Sequence, residues 1–383
     1  MFSSRLPWQS QLNRISEAVQ QRRSQGKETL DLTESNPTRA GLQYPPSALT
    51  LADPRAALYQ PDPAGLLEAR ESISAYYSAR RQTVTPDRIV LTASTSESYA
   101  WLFKLLADAG DEVLVPRPSY PLFEFLAALE NVHVVQYPLL YDEGWQIDFF
   151  VLEKLITAKT RALVLVNPNN PTGSFLKRDE WNRLAQLCRD HNVAVICDEV
   201  FADFVLSPHP QRVESLAGCD NVLTFSLSGL SKVCGLPQMK LGWIVVSGPP
   251  DQRAEALARL ELIADTYLSV STPVQMAAPH FLALRQEFQT TLHNRLQTNL
   301  AHLTSHPECE MLRVEGGWCA TLRVPNIRTE EEWVLGLLDS GVLVQPGFFF
   351  DFESEAYLVV SLLTEPEVFR QGAERIFQRS LEW

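Results

Sequence analysis

Four groups of residues in the middle of the chain have types and spacing suited to chemistry. The run VNPNNPTG (Val166 to Gly173) is too rich in asparagine and proline for a routine turn. Asn-Pro pairs start turns, and a proline so placed can be cis. In ICDEVFADF, Asp198 follows five apolar residues, and a carboxylate there is costly to bury unless a cation or donor faces it. In FSLSGLSKVCGLPQMKLGW (Phe225 to Trp243), Lys232 occupies a Ser- and Gly-rich loop leaving a buried run. A lysine held among apolar and small polar groups sheds its proton readily and acts as a nucleophilic amine. Ser94, Thr95 and Ser96, in LTASTSESYAWLF, mark a turn from a strand into a helix. Free amides and hydroxyls there make an anion site suited to phosphate. Taken singly, each group has an ordinary reading as well: a tight loop, a helix-capping aspartate, a salt-bridged lysine, a hydroxyl cap.

One ligand uses all four. It has a phosphate for the helix end, an aldehyde for Lys232, a basic ring nitrogen that Asp198 keeps protonated, and a ring oxygen for Asn170. That ligand is pyridoxal phosphate, whose protonated pyridine draws electrons from a substrate carbanion.

The elements that must position these groups alternate. Candidate strands are Arg88 to Ala93, Asp111 to Pro116, Arg161 to Asn167, Val193 to Asp198 and Asn221 to Ser226, with helical patterns at Ser96–Ala109, Tyr120–Asn131 and Lys177–Asn192. Buried runs each followed by a helix read as βα units around a mostly parallel sheet covered on both faces. Met239 to Ser247 follows after too short a link for a parallel return, which predicts an antiparallel strand. Past residue 275 the pattern changes. A long helix from Val274 to about Ser305, three strand-like runs and a last helix from Pro366 segregate as in a smaller α+β domain. The expected division is 1–50 as an arm and part of the small domain, 51–275 as the large cofactor domain, and 276–383 as the C-terminal small domain.

Length and composition bound the answer. At 383 residues the chain is too long for one ordinary core, and 45% hydrophobic with 21% charged residues describes a globular protein. A net charge of −13 disfavours nucleic acid and anionic lipid as partners. No run approaches the roughly 20 apolar residues of a membrane span, and the start lacks a signal-peptide core, so a cytoplasmic location is expected. The six cysteines (188, 197, 219, 234, 309, 319) contain no Cys-x-x-Cys pair and the histidines are scattered, which predicts reduced thiols and no metal site.

On NPNNPTG, DEVF, the SK-x-x-GL-x-x-x-K-x-G run, YQPDPAGLLEARESISAYY and GVLVQPG, in that family's order and spacing, the sequence resembles the class I/II aminotransferases of the fold-type I pyridoxal-phosphate enzymes. The resemblance covers most of the chain. It implies a seven-stranded, mostly parallel sheet in the large domain and a small domain built from both chain ends. It makes Lys232 the Schiff-base lysine and proton shuttle, pairs Asp198 with the pyridine nitrogen, gives Asn170 the ring oxygen, and stacks Tyr120 on the ring. Ser94, Thr95 and Ser96 match the phosphate loop. Tyr59 matches a tyrosine that reaches the neighbouring subunit's phosphate, which implies a homodimer with shared sites.

The sequence departs from that pattern at four places. Lys240 replaces an arginine at the phosphate and loses its two-pronged grip. Gly229 replaces a serine or threonine, with Ser228 beside it. Phe201 replaces the tyrosine that shares the ring oxygen with Asn170. Val359 replaces the arginine that grips the substrate carboxylate, and no Arg, Lys or His occurs from Thr329 to Phe369. Arg39, in ESNPTRAG, is the candidate substitute cation, with a solvated loop residue as the plain alternative. Phe348, Phe349, Phe350 and Phe352 read as an apolar pocket or as core. The expected activity is amino transfer between an amino acid or other amine and a 2-oxo acid, by a ping-pong route. A lyase, decarboxylase or racemase on the same fold is the alternative, and a non-catalytic cofactor-binding protein the third.

Overall fold

The computed structural model describes residues 2–6, 12–42, 44, 49–305, 310–354 and 356–382; Cys309 and parts of the Thr33–Pro46 loop (Gln43, Pro45, Pro46) lie outside them. Strand β1 (Leu30–Asp31) belongs to the C-terminal part of the molecule. It is followed by β2 (Ile89–Thr92), β3 (Glu112–Arg117), β4 (His133–Tyr141), β5 (Trp145–Ile147), β6 (Thr160–Val166), β7 (Ala194–Asp198), β8 (Thr224–Gly229) and β9 (Gly242–Ser247). These last eight form one sheet in the order β2-β9-β8-β7-β6-β3-β4-β5. Pairs within β8-β7-β6-β3-β4 are parallel, and β9 runs antiparallel to both neighbours. The implied seven strands are therefore present, and the short edge strand β5, antiparallel to β4, makes an eighth.

Helices cover both faces, and their apolar stripes explain why. The Thr95–Leu106 helix buries Tyr99, Trp101, Leu102 and Phe103 against one side of the sheet, while Arg178–His191 buries Trp181, Leu184, Ala185 and Cys188 on the other. Central strands such as Thr224–Gly229 and Gly242–Ser247 are buried at every position, as a sheet covered on both faces requires.

The small domain holds β10 (Glu310–Met311), β11 (Cys319–Arg323), β12 (Val342–Leu343), β13 (Gln345–Pro346) and β14 (Tyr357–Ser361). Four of these make an antiparallel sheet, β10-β11-β14-β13, while β12 pairs in parallel with β1 from the N-terminal segment. The Thr272–Thr304 helix links the two bodies. Its first half packs Val274, Ala278 and Phe281 under the large sheet, and its second half packs Leu292, Leu296 and Leu303 into the small-domain core. The position expected to divide the domains, after residue 275, falls inside this helix.

Candidate active site

The parallel strands aim their C-terminal ends at one cleft, where loops leave the sheet and ligands gather in such folds. Asp198 ends β7, and Val166, opposite it in register, ends β6 and leads into the asparagine-proline loop. Both Asn-Pro bonds of that loop, before Pro168 and Pro171, are cis. Two of the loop's three asparagines are spent on fixing its shape against neighbouring segments. Asn167 donates to the Val213 carbonyl and accepts from the Leu176 amide, at 3.0 and 2.9 Å. Asn169 donates to the Pro118 carbonyl and to Thr172, both at 2.9 Å, and accepts from Ser119 at 2.8 Å. Asn170 alone keeps a partly buried side chain with no protein hydrogen bond recorded among the described residues.

Asp198 is 7% exposed. The Val200 amide donates to its Oδ1 at 3.1 Å and the Tyr99 hydroxyl to its Oδ2 at 3.2 Å. Burial pushes the carboxyl up to about 6, against the pull of those two donors. Lys232, in the one-turn Leu230–Val233 helix after β8, answers it from across the cleft. Its Nζ lies 4.7 Å from the Trp318 ring centre, 5.4 Å from that of Phe201, and 3.5 Å from the Ser35 carbonyl. Burial lowers the lysine to about 8, while the nearby Cys319 thiol and Asp198 pull it back up. Tyr120 is partly buried on the same side, edge-on to Phe123 at 6.0 Å, with its hydroxyl pKa raised by burial and by the charge of Asp198.

At the phosphate-like turn the three hydroxyls divide. Ser94 Oγ accepts from the Glu97 amide at 3.2 Å, capping the Thr95–Leu106 helix, while Glu97 Oε2 accepts from the Ala93 amide at 2.6 Å. Thr95 and Ser96 are left in the first helical turn, partly buried, with no side-chain hydrogen bond recorded. Gly242 is pressed against this turn: a Cβ there would stand 3.2 Å from the Ser94 carbonyl carbon. Lys240, two residues earlier, is exposed at the rim in a left-handed conformation. Gly229 has its own reason, since a Cβ would meet the Leu241 and Gly242 backbone at 3.0 Å. Ser228 Oγ is buried without a partner on the preceding residue.

Lys232, Asp198 and Tyr120 are thus brought together, and Asn170 and the Thr95–Ser96 turn stand at the same C-terminal strand ends. Tyr59 stands apart, 76% exposed. Val359 is 1% exposed on β14, in register with Thr321 and Gln345. The Ser35 contact puts the ESNPTRAG loop at the cleft. Arg39, however, has its side chain 75% exposed and lies 4.0 Å from Glu34. The four phenylalanines divide: Phe350 is buried, Phe348 is exposed but meets Phe349 edge-on at 5.0 Å, and Phe352 packs on Trp145 and Tyr357. Two site residues escape a reading of the sequence. Trp318 reaches Lys232 from the small domain, with no local pattern to mark it. Tyr99 carries a faint signal, because it lies four residues beyond Thr95 on one helical face.

The chain is similar to known proteins in sequence and fold. The family model for aminotransferase class I and II matches residues 27–376. The glutamate–pyruvate aminotransferase AlaA of Escherichia coli is 30% identical over 256 residues, 66% of this chain and 63% of that protein. The chain therefore spans a little under two thirds of that relative. The Haemophilus influenzae protein of the same name is 28% identical over 88% of this chain and 87% of its own. In fold, the alanine aminotransferase from Pyrococcus furiosus superposes with a TM-score of 0.88 at 24% identity, covering both chains fully. The chain belongs to the class I and II aminotransferases.

Proposed function

We propose that the protein is a pyridoxal-phosphate-dependent aminotransferase, exchanging an amino group between an amino acid or other amine and a 2-oxo acid by a ping-pong route through Lys232. The observation that carries this is the pairing, in one cleft, of an amine lowered to about 8 with a buried carboxylate raised to about 6. The other groups fit the same cofactor. Asn170, Thr95 and Ser96 keep polar groups uncommitted where their neighbours are bound, and Asp198 is a buried carboxylate held by two neutral donors, with room in its chemistry for a cation.

When bound, pyridoxal phosphate supplies an electron sink for the negative charge that develops on the substrate α-carbon. The chain does the rest. Lys232 attacks as the free amine, which burial favours by keeping the charged form poorly solvated. With the cofactor bound, its Nζ would be the group that takes the proton from the substrate α-carbon and holds it for return. Asp198 would pair as a carboxylate with the ring nitrogen, Asn170 would donate to the ring oxygen, and Tyr120 would pack on the ring. Thr95, Ser96 and the free amides of their helix would hold the phosphate, with Lys240 adding charge. Phe201 and Trp318 keep water from Nζ. The relatives' names make alanine, glutamate and pyruvate the first substrates to try. The resemblance supports a homodimer, and the five described cysteines, all free thiols, suit a reducing cytoplasmic setting.

The test is the visible spectrum of the cofactor-loaded protein as amino donors are added singly. Conversion of the lysine-bound cofactor to its amine form, reversed by a 2-oxo acid, is the expected result. A second reading, a lyase, decarboxylase or racemase, draws on the valine at position 359. It gains if ammonia or carbon dioxide appears without any acceptor.

A further inference from the structure

We propose that Tyr99 is a positioning residue for Asp198: its hydroxyl fixes the carboxylate toward a cationic ring nitrogen, from the same helix whose first turn holds the phosphate. The inference rests on the pyridoxal-phosphate reading above.

Three observations converge. Tyr99 is 1% exposed, and its hydroxyl donates to Asp198 Oδ2 at 3.2 Å, the one side-chain donor recorded on that carboxylate among the described residues. The ring cannot swing away. Phe123 meets it edge-on at 5.4 Å and Phe103 lies 6.0 Å from it, inside the apolar cluster under the sheet. A phenylalanine would fill that cluster as well, so packing alone gives the buried hydroxyl no purpose. Burial and the adjacent charge hold the proton on Tyr99 far above neutral pH, so it acts only as a donor.

The helix adds the second half of the argument. Thr95 and Ser96 precede Tyr99 by four and three residues, which puts all three on one face, spread over about 6 Å of helix axis. One rigid element therefore addresses the anionic end of the ligand directly and its ring nitrogen through Asp198.

Tyr99→Phe tests this, since it removes the hydroxyl and keeps the ring. In the apoprotein the Asp198 carboxyl, followed by carbon NMR, is expected to titrate above its wild-type value. Equilibrium affinity for pyridoxal phosphate is expected to fall roughly tenfold. Affinity for an analogue with CH in place of the ring nitrogen is expected to hold. In an Asp198→Asn background the same substitution is expected to cost nothing further. Equal losses for cofactor and analogue, or a full additional loss in the Asp198→Asn background, would show a packing role and overturn the proposal. An unchanged affinity and titration would overturn it too. A wild-type protein that binds no pyridoxal phosphate is a separate result, which brings down the functional reading and this inference with it.

Discussion

Lys232 and Asp198 are costly residues to keep, and the direction of each cost can be measured. Asp198 titrates near 6 instead of its ordinary 3.8, so between those values the folded protein holds more protons than the unfolded chain. Stability therefore falls as pH rises through that window, and the loss persists above it. Asp198→Asn is expected to make the apoprotein about 2 kcal/mol more stable at pH 7, with little gain near pH 4, where the carboxyl is already protonated. Denaturant midpoints at the two pH values check this, and an apoprotein destabilised at both would contradict it. The same variant should bind pyridoxal phosphate more weakly, a trade of stability for function. Lys232 works in the opposite sense. Its amine titrates near 8 instead of 10.5, so the unfolded chain holds more protons across that interval and stability rises with pH through it. The free amine is the reactive form. The rate at which apoprotein attaches pyridoxal phosphate should rise with pH and level off above about 8, which stopped-flow absorbance measures. A limb near 10.5 would mean that burial of Nζ does not lower it.

At the scale of elements, the loop that frees Asn170 is welded to the small domain. Gly173 has φ +70°, and its carbonyl accepts from the Gly316 and Glu315 amides at 2.9 and 3.1 Å. A Cβ at Gly173 would stand 2.6 Å from the Gly316 carbonyl oxygen. Gly173→Ala should cost about 2–4 kcal/mol, from the left-handed backbone and the overpacking together. It should also weaken cofactor binding, because Asn170 lies in the same loop. A change in unfolding free energy under about 0.5 kcal/mol would refute the weld. Elements of this kind were only partly legible in the sequence. The buried strands β2, β3 and β6 to β9 announce themselves as short apolar runs, and the antiparallel β9 follows from its short link. Strand β4 does not, because HVVQYPLLY is half-buried and carries Pro138. The Arg14–Ser24 helix buries only Ile15 and so has almost no apolar stripe to read. Site residues divide in the same way. Lys232, Asp198 and Asn170 are visible because their types are odd for their surroundings. Trp318 and Tyr99 matter through contacts spanning 86 and 99 residues, which no local pattern encodes.

Over the whole molecule, the cleft is walled by three stretches of one chain. The N-terminal loop reaches Lys232 through Ser35, the small domain through Trp318, and an Arg117–Glu353 ion pair with a Ser119 amide to Phe350 carbonyl bond closes one side. Tyr59 is the expected site residue that stands apart from this chain's cleft. It stands 76% exposed beside Leu58, which is 67% exposed, and a pair of large apolar side chains held in water is better explained by a surface that covers them. If a second copy covers them and Tyr59 serves that copy's phosphate, each site needs Lys232 from one chain and Tyr59 from the other. Two inactive variants then repair each other. Lys232→Ala and Tyr59→Ala chains, co-expressed in equal amounts, form hybrids in which one site carries both lesions and the other carries neither. Random pairing makes about half of the dimers hybrid, so roughly a quarter of wild-type activity should return. If each site used its own Tyr59, every hybrid site would carry one lesion and no activity beyond that of the parents would appear. Sedimentation of the wild type fixes the starting point, because a monomer at assay concentration removes the basis for any exchange.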